Sequence, residues 1–261
     1  MNVNDKTVLL TGASGGIGQE IARVLAAAGA KLILTGRTSG RLAELKQELP
    51  GEGHIAVALD VASDEGVNEL ASIAEEHAVD ILINNAGVNQ LATHEHMSSE
   101  AISRMMTVNL CAPMILCSRL IPVLMQRPEA LIVNVGSIMG SIGMAGSATY
   151  CASKFGLRGF TESLRRELAD SNIRVVYFAP RMTSTSINSE QMMAMNQALG
   201  TAMDNPGEVA NQLLSVISKS NCTEQYLGWP EKLFVRINAV LPGVVDRALK
   251  KQLPTVLSYA R

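Results

Sequence analysis

The chain has 261 residues, of which 47% are hydrophobic, 18% charged and 3% aromatic, and its 22 basic and 24 acidic residues leave a net charge of −2. A chain of this length can bury a substantial core, and the near-even charge balance excludes a general attraction to nucleic acid. The four cysteines, Cys111, Cys117, Cys151 and Cys222, have no C-x-x-C spacing, so reduced thiols of a cytoplasmic protein are expected rather than a zinc or disulfide frame.

The N-terminus enters an apolar run at Val8–Leu10 with no basic and long apolar leader before it, so no signal peptide is expected. No run of about 18 apolar residues suggests a membrane span. Short apolar strands are predicted over 7–11, 31–35, 54–59, 81–84, 130–135 and 174–178. Helices are predicted between them, over 16–28, 41–49, 64–77, 99–125 and 148–168. Continuous apolar strands alternating with helices imply an α/β fold, a single Rossmann-like domain over 1–261 whose doubly wound parallel sheet carries helices on both faces. Ser63-Asp64 and Ser98-Ser99-Glu100 read as helix starts, Gly29 as a left-handed C-terminal cap, and Pro122 as a kink or stop.

The first strand leads into Thr11-Gly12-Ala13-Ser14-Gly15-Gly16-Ile17-Gly18 and then a helix. That order suits a dinucleotide: glycines permit a tight turn and close backbone approach, and the helix N-terminus offers free N–H groups to a pyrophosphate. The residues expected to contact it are Gly12, Ser14, Gly16, Ile17 and Gly18. The second strand ends Thr35-Gly36-Arg37, without the acid that binds a ribose 2′-hydroxyl in NAD sites. A guanidinium at Arg37, with Arg41 near, suits a 2′-phosphate, so NADP(H) is preferred and NAD(H) stays open. Asp60 and Val61 follow the third strand, Asn85, Ala86 and Gly87 the fourth. Asp60 could bond adenine or cap the next helix.

Tyr150 and Lys154 are four apart on a predicted helix and share a face. A phenol with an ordinary pKa near 10 is a poor acid/base group at neutral pH, and a nearby ammonium is expected to lower it. Ser137 ends the fifth strand, where its hydroxyl could bond a reacting oxygen. Together these segments resemble the short-chain dehydrogenase/reductase family. Thr11–Gly18 fits T-G-x3-G-x-G, Asn84–Gly87 fits N-N-A-G, Asn109 falls on the family's catalytic asparagine, Ser137 on its serine, and Tyr150 and Lys154 on Y-x3-K. The resemblance spans roughly residues 5 to 220. It implies Tyr150 as general acid/base, Lys154 on the nicotinamide ribose, Ser137 orienting the carbonyl, and Asn109 holding a relay water. It also implies a homodimer or homotetramer, and a hydride exchanged between nicotinamide and a small-molecule ketone or secondary alcohol. A hydrophobic substrate of 3-oxoacyl type is one candidate. A non-catalytic dinucleotide-binding regulator and an NAD-dependent dehydrogenase of a polar alcohol are the alternatives.

One departure stands out. The family's Pro-Gly after the sixth strand reads Pro180-Arg181 here, followed by Thr183 and Thr185. If position 181 required positive φ, arginine would be strained; otherwise the loop takes another path or Arg181 faces the substrate. Pro180, Thr183 and Thr185 remain the expected cofactor contacts. Residues 183–204 are expected to form a substrate flap, where Met192, Met193, Met195 and Met203, with Met182 just before, would line an apolar site or simply pack. The 229–261 extension is basic and amphipathic. It could pack on its own chain, on a subunit, or at a membrane surface, making the protein peripheral to a membrane. His94-Glu95-His96 and Cys151 are read as a pocket rim and a buried thiol, with no metal expected.

Overall fold

The structure, a computed structural model, describes residues 1–185 and 187–261. Ser186, inside the expected flap, lies outside them. Seven strands form one parallel sheet: β1 (Thr7–Thr11), β2 (Lys31–Gly36), β3 (Ile55–Ala58), β4 (Ile81–Asn84), β5 (Ala130–Val135), β6 (Ile173–Ala179) and β7 (Glu224–Tyr226). Their order is β3-β2-β1-β4-β5-β6-β7. The winding reverses between β1 and β4, and that switch point opens a crevice at the strands' carboxyl ends.

Successive strand residues face opposite layers. Val8, Leu10, Leu32 and Leu34 join one core with Ile21 and Leu25 of α1 (Gly16–Ala27), Leu42 and Leu45 of α2 (Ser39–Glu48) and Leu213 of α8 (Pro206–Ser218). Leu9, Ile33 and Leu82 join the other with Leu70 of α3 (Asp64–Glu76), Leu116 and Leu120 of α5 (Ala112–Met125) and Leu164 of α6 (Ala148–Glu167). The two caps form as expected, with Ser63 accepting from Gly66 N–H and Ser98 from Ala101 N–H. Gly29 takes φ +88 after α1.

The predicted helix over 99–125 is α4 (Ser99–Met106), a π turn over Thr107–Cys111, and α5. Contrary to the expectation that nothing here could span a membrane, this 27-residue stretch is long and apolar enough to do so. It is nevertheless a core helix, since Ala112, Leu116, Cys117, Leu120 and Leu124 are buried against the sheet and α3. Pro122 lies inside α5 without ending it.

Five elements were not anticipated as such: α8, the short edge strand β7, and the three helices of the C-terminal extension, α9 (Glu231–Val240), α10 (Pro242–Lys250) and α11 (Leu253–Ala260). The flap is closed at its base by Asp204, whose N–H donates to Met182 O and whose carbonyl accepts from Ser184 N–H. Its helix α7 (Glu190–Ala198) buries Met192 and Met195 against Leu91 and against Val256 and Ala260 of α11. These two methionines therefore serve packing, while Met203 stays exposed.

Candidate active site

The glycine turn is built by sterics. Gly12 and Gly16 have φ +67 and +56, where a Cβ is disfavoured. A Cβ on Gly18 would strike the Gly12 carbonyl oxygen, and one on Gly12 would lie 2.8 Å from Ala86 Cα. The turn is fastened to the end of β4. Thr11 Oγ1 accepts from the N–H groups of Asn85 and Ala86, both at 3.0 Å, and Asn85 Nδ2 donates to the carbonyls of Thr11 and Gly12. The Asn85 amide is thus committed to shaping the turn. Asn84 turns inward and bonds Asn134, which bonds Thr161, tying β4 and β5 to α6.

The N-terminus of α1 has no side-chain cap and no acidic residue in its first turn. With the glycine cradle beside it, it fits a pyrophosphate. Thr185 lies against Gly16, 3.1 Å from where a Cβ would stand. Thr183 is buried and donates to Arg181 O, so it serves the loop rather than the crevice. Pro180 O accepts from Ile138 N–H, joining the loops after β5 and β6.

At the end of β2, a Cβ on Gly36 would stand 2.6 Å from Ser14 Oγ. Any side chain at this position would have to displace the Ser14 hydroxyl. Arg37 and Arg41 are exposed and make no ion pair among the described residues. Asp60 Oδ1 accepts from Ala62 N–H, and its other oxygen lies 4.0 Å from Arg104. It does not cap α3, because Ser63 does. Val61 beside it is buried.

Ser137, Tyr150, Lys154 and Asn109 converge at the carboxyl ends of β4 and β5. Lys154 is 4% exposed; its Nζ donates to Val135 O at 2.9 Å and lies 5.8 Å from the Tyr150 ring centroid. Burial brings its pKa down to about 8. Tyr150 is partly buried, and desolvation pushes it up to about 12 against a smaller opposing pull from the Ser137 hydroxyl. The protein alone therefore moves the phenol upward, contrary to the expectation of a lysine-lowered pKa. Burial disfavours the charged phenolate.

Asn109 sits in the π turn and is fully buried. Its Oδ1 accepts from Val88 N–H, and its Nδ2 donates to Val88 O and Ser153 Oγ. The side chain is thus filled by protein partners. Ser137 is held by a residue the sequence did not point to. Tyr177 of β6 passes beneath it, donating to Ser137 O at 3.1 Å and accepting from Ser137 N–H at 3.3 Å. Its ring fills the space a Cβ would need at Gly136, and its hydroxyl the space at Gly140. Two neighbouring glycines around Ser137 were the available signal.

Arg181 does not face the crevice. Among the described residues only Asp5 and Ala78 are non-glycine residues with positive φ, so arginine at 181 is unstrained. Its guanidinium lies 2.7 Å from Asp204 and 3.2 Å from Glu231, binding the β6 loop, the flap base and α9 together. His94–His96 is a 3-10 turn at the rim, and Cys151 is a buried thiol beside Met144 N–H.

Residues 6–196 match the family model described as short chain dehydrogenase. The chain is 36% identical over 225 residues to the 3-oxoacyl-acyl-carrier-protein reductase FabG of Vibrio cholerae, a match covering 84% of this chain and 92% of that one. A short-chain dehydrogenase from Burkholderia phymatum in complex with NAD superposes with TM-score 0.84 at 23% identity, covering 94% of this chain and 96% of the other. One from Burkholderia cenocepacia in complex with NADP superposes with TM-score 0.82 at 24% identity, covering 95% and 99%. With its matched segment spanning the glycine turn and the Ser137, Tyr150 and Lys154 cluster, the chain belongs to the short-chain dehydrogenase/reductase family of oxidoreductases.

Proposed function

We propose that this oxidoreductase is an NADP(H)-dependent reductase of a hydrophobic ketone, with a 3-oxoacyl thioester as the substrate class to test first. The observation that carries the reading is the convergence of Ser137, Tyr150 and a buried, carboxylate-free Lys154 beside the glycine cradle. The V. cholerae relative supports the acyl substrate. Support for the 2′-phosphate comes from Gly36, which puts no acid at the end of β2, and from the exposed Arg37 and Arg41, which make no ion pair among the described residues.

When bound, the reduced nicotinamide supplies the hydride. The Ser137 hydroxyl orients the carbonyl oxygen, and the Tyr150 phenol donates its proton to that oxygen as negative charge develops there. Lys154 Nζ would bond the ribose hydroxyls and favour the resulting phenolate. Asn109 in the π turn is the proposed holder of a relay water. Tyr150→Phe should lower turnover about 10²–10⁴-fold, followed by NADPH absorbance with 3-oxoacyl thioesters of graded length. Cofactor affinity measured by calorimetry should hold nearly constant. Turnover that survives would remove Tyr150 from the chemistry. A second copy of the chain is the proposed partner for the exposed Met114, Ile115 and Met125 of α5 and Phe155 of α6.

A further inference from the structure

The C-terminal extension has two faces of different character. Inward, Val235 of α9 and Val245 of α10 pack on Ile138 and Ile142 in the loop after Ser137, and Asn238 donates to Ser141 O. The last helix is tied down by Thr93 N–H donating to Ala260 O. The extension therefore has a fixed orientation against the substrate side of the sheet. Outward, α9 shows Leu233, Phe234 and Val240 to solvent, Leu241 and Val244 continue the patch onto α10, and Trp229 precedes it. Trp229 is 70% exposed and Val240 76%. Large apolar side chains grouped at this density usually mark a docking surface.

The surrounding charge selects the occupant. Lys232, Arg236, Arg247, Lys250 and Lys251 are exposed around the patch. From residue 229 to 261 there are six basic residues (these five and Arg261) and two acidic ones, Glu231 and Asp246, a balance of +4 in a chain whose net charge is −2. Glu231 is already paired with Arg181. A twofold contact with a second copy would set this cationic patch against itself. An anionic bilayer instead complements both features, with cations at the headgroups and Trp, Phe and Leu at the acyl boundary.

We propose that the outer face of α9 and α10 is a docking surface for anionic phospholipid bilayers. Docking there sets the loop after Ser137 one helix layer from the lipid. The contact stands independently of the cofactor and substrate assignments, since it needs no turnover.

Trp229 is the sole tryptophan of the chain, so its emission reports this face and no other. The full-length protein should co-sediment with vesicles of equal parts phosphatidylcholine and phosphatidylglycerol, with a blue shift of that emission, and only weakly with phosphatidylcholine alone. Lys232→Gln with Arg236→Gln should weaken binding about 25-fold, about fivefold per cation lost. Leu233→Glu with Val240→Glu should abolish it. Failure to sediment with the anionic vesicles would overturn the proposal. So would sedimentation without a Trp229 shift, equal binding to neutral vesicles, or an oligomer that dissociates on the Leu233→Glu and Val240→Glu change.

Discussion

Lys154 is a buried ammonium whose polar contact is one carbonyl, and its functional placement should cost stability. Its pKa falls from the ordinary 10.5 to about 8, which corresponds to a penalty of about 3 kcal/mol for the charged form at neutral pH. Between about pH 8 and 10.5 the unfolded chain holds this proton more tightly than the folded one, so stability from this group rises with pH through that window. Replacing Lys154 by Met keeps the stem and removes the charge. It also orphans Val135 O, which costs about 1 kcal/mol. The variant should therefore be about 2 kcal/mol more stable than the parent at pH 7, and inactive. Cys117 and Cys151 thiols, raised by burial from 9.0, act in the opposite sense above that pH. They are common to both proteins and cancel in the difference. The assay is urea denaturation of both proteins at one concentration, at pH 7 and pH 9. The stability gap should narrow by about 1 kcal/mol at the higher pH. A variant less stable than the parent at pH 7, with a gap that ignores pH, would refute the reasoning.

Three further outcomes follow from the site. Tyr177→Phe removes the phenol that holds the Ser137 backbone and leaves a buried carbonyl unpaired, at about 1–3 kcal/mol. Steady-state kinetics should show kcat falling about tenfold or more with KM little changed, and an equal loss in both would reduce Tyr177 to packing. Arg37→Asp should cost NADPH about 2 kcal/mol of affinity, some thirtyfold, and leave NADH nearly unaffected; parallel titrations with the two cofactors decide it. Arg181→Met should destabilise by about 1–2 kcal/mol, discounted for the partial exposure of Asp204 and Glu231, and raise KM more than it lowers kcat. Calorimetric melting and substrate titration would both have to be unchanged for the clamp to be idle.

Much of this was legible in the sequence because its signals are local. The glycine turn, the Tyr150–Lys154 pair and the strands β1, β4 and β5 each lie within one short window of strong pattern. Where signals are weak or non-local, the reading was thinner. β7 is three residues long and carries no apolar run, since Glu224 and Gln225 sit on an edge strand. A motif position does not say where the Asn85 amide points, and its Nδ2 donates to the carbonyls of Thr11 and Gly12. The upward shift of Tyr150 also escaped the sequence, because spacing reveals the neighbouring lysine but not how deeply the phenol is desolvated.

Arg181 shows why the substrate side resists the same kind of reading. Set against the family pattern, it looked like a steric fault in a glycine position. In the structure the backbone there needs no positive φ, and the side chain reaches Asp204 and Glu231, which lie 23 and 50 residues downstream. One substitution is thus coupled to two distant acids and to an extension beyond the segment that the family model matches. The cofactor side answers to a ligand of fixed shape, so contiguous motifs suffice to build it. The proposed substrate side joins the flap, the β6 loop and the C-terminal helices through long-range pairs of this kind. Specificity there can change with any one of the partners, and it has to be read from their contacts rather than from any single stretch of chain.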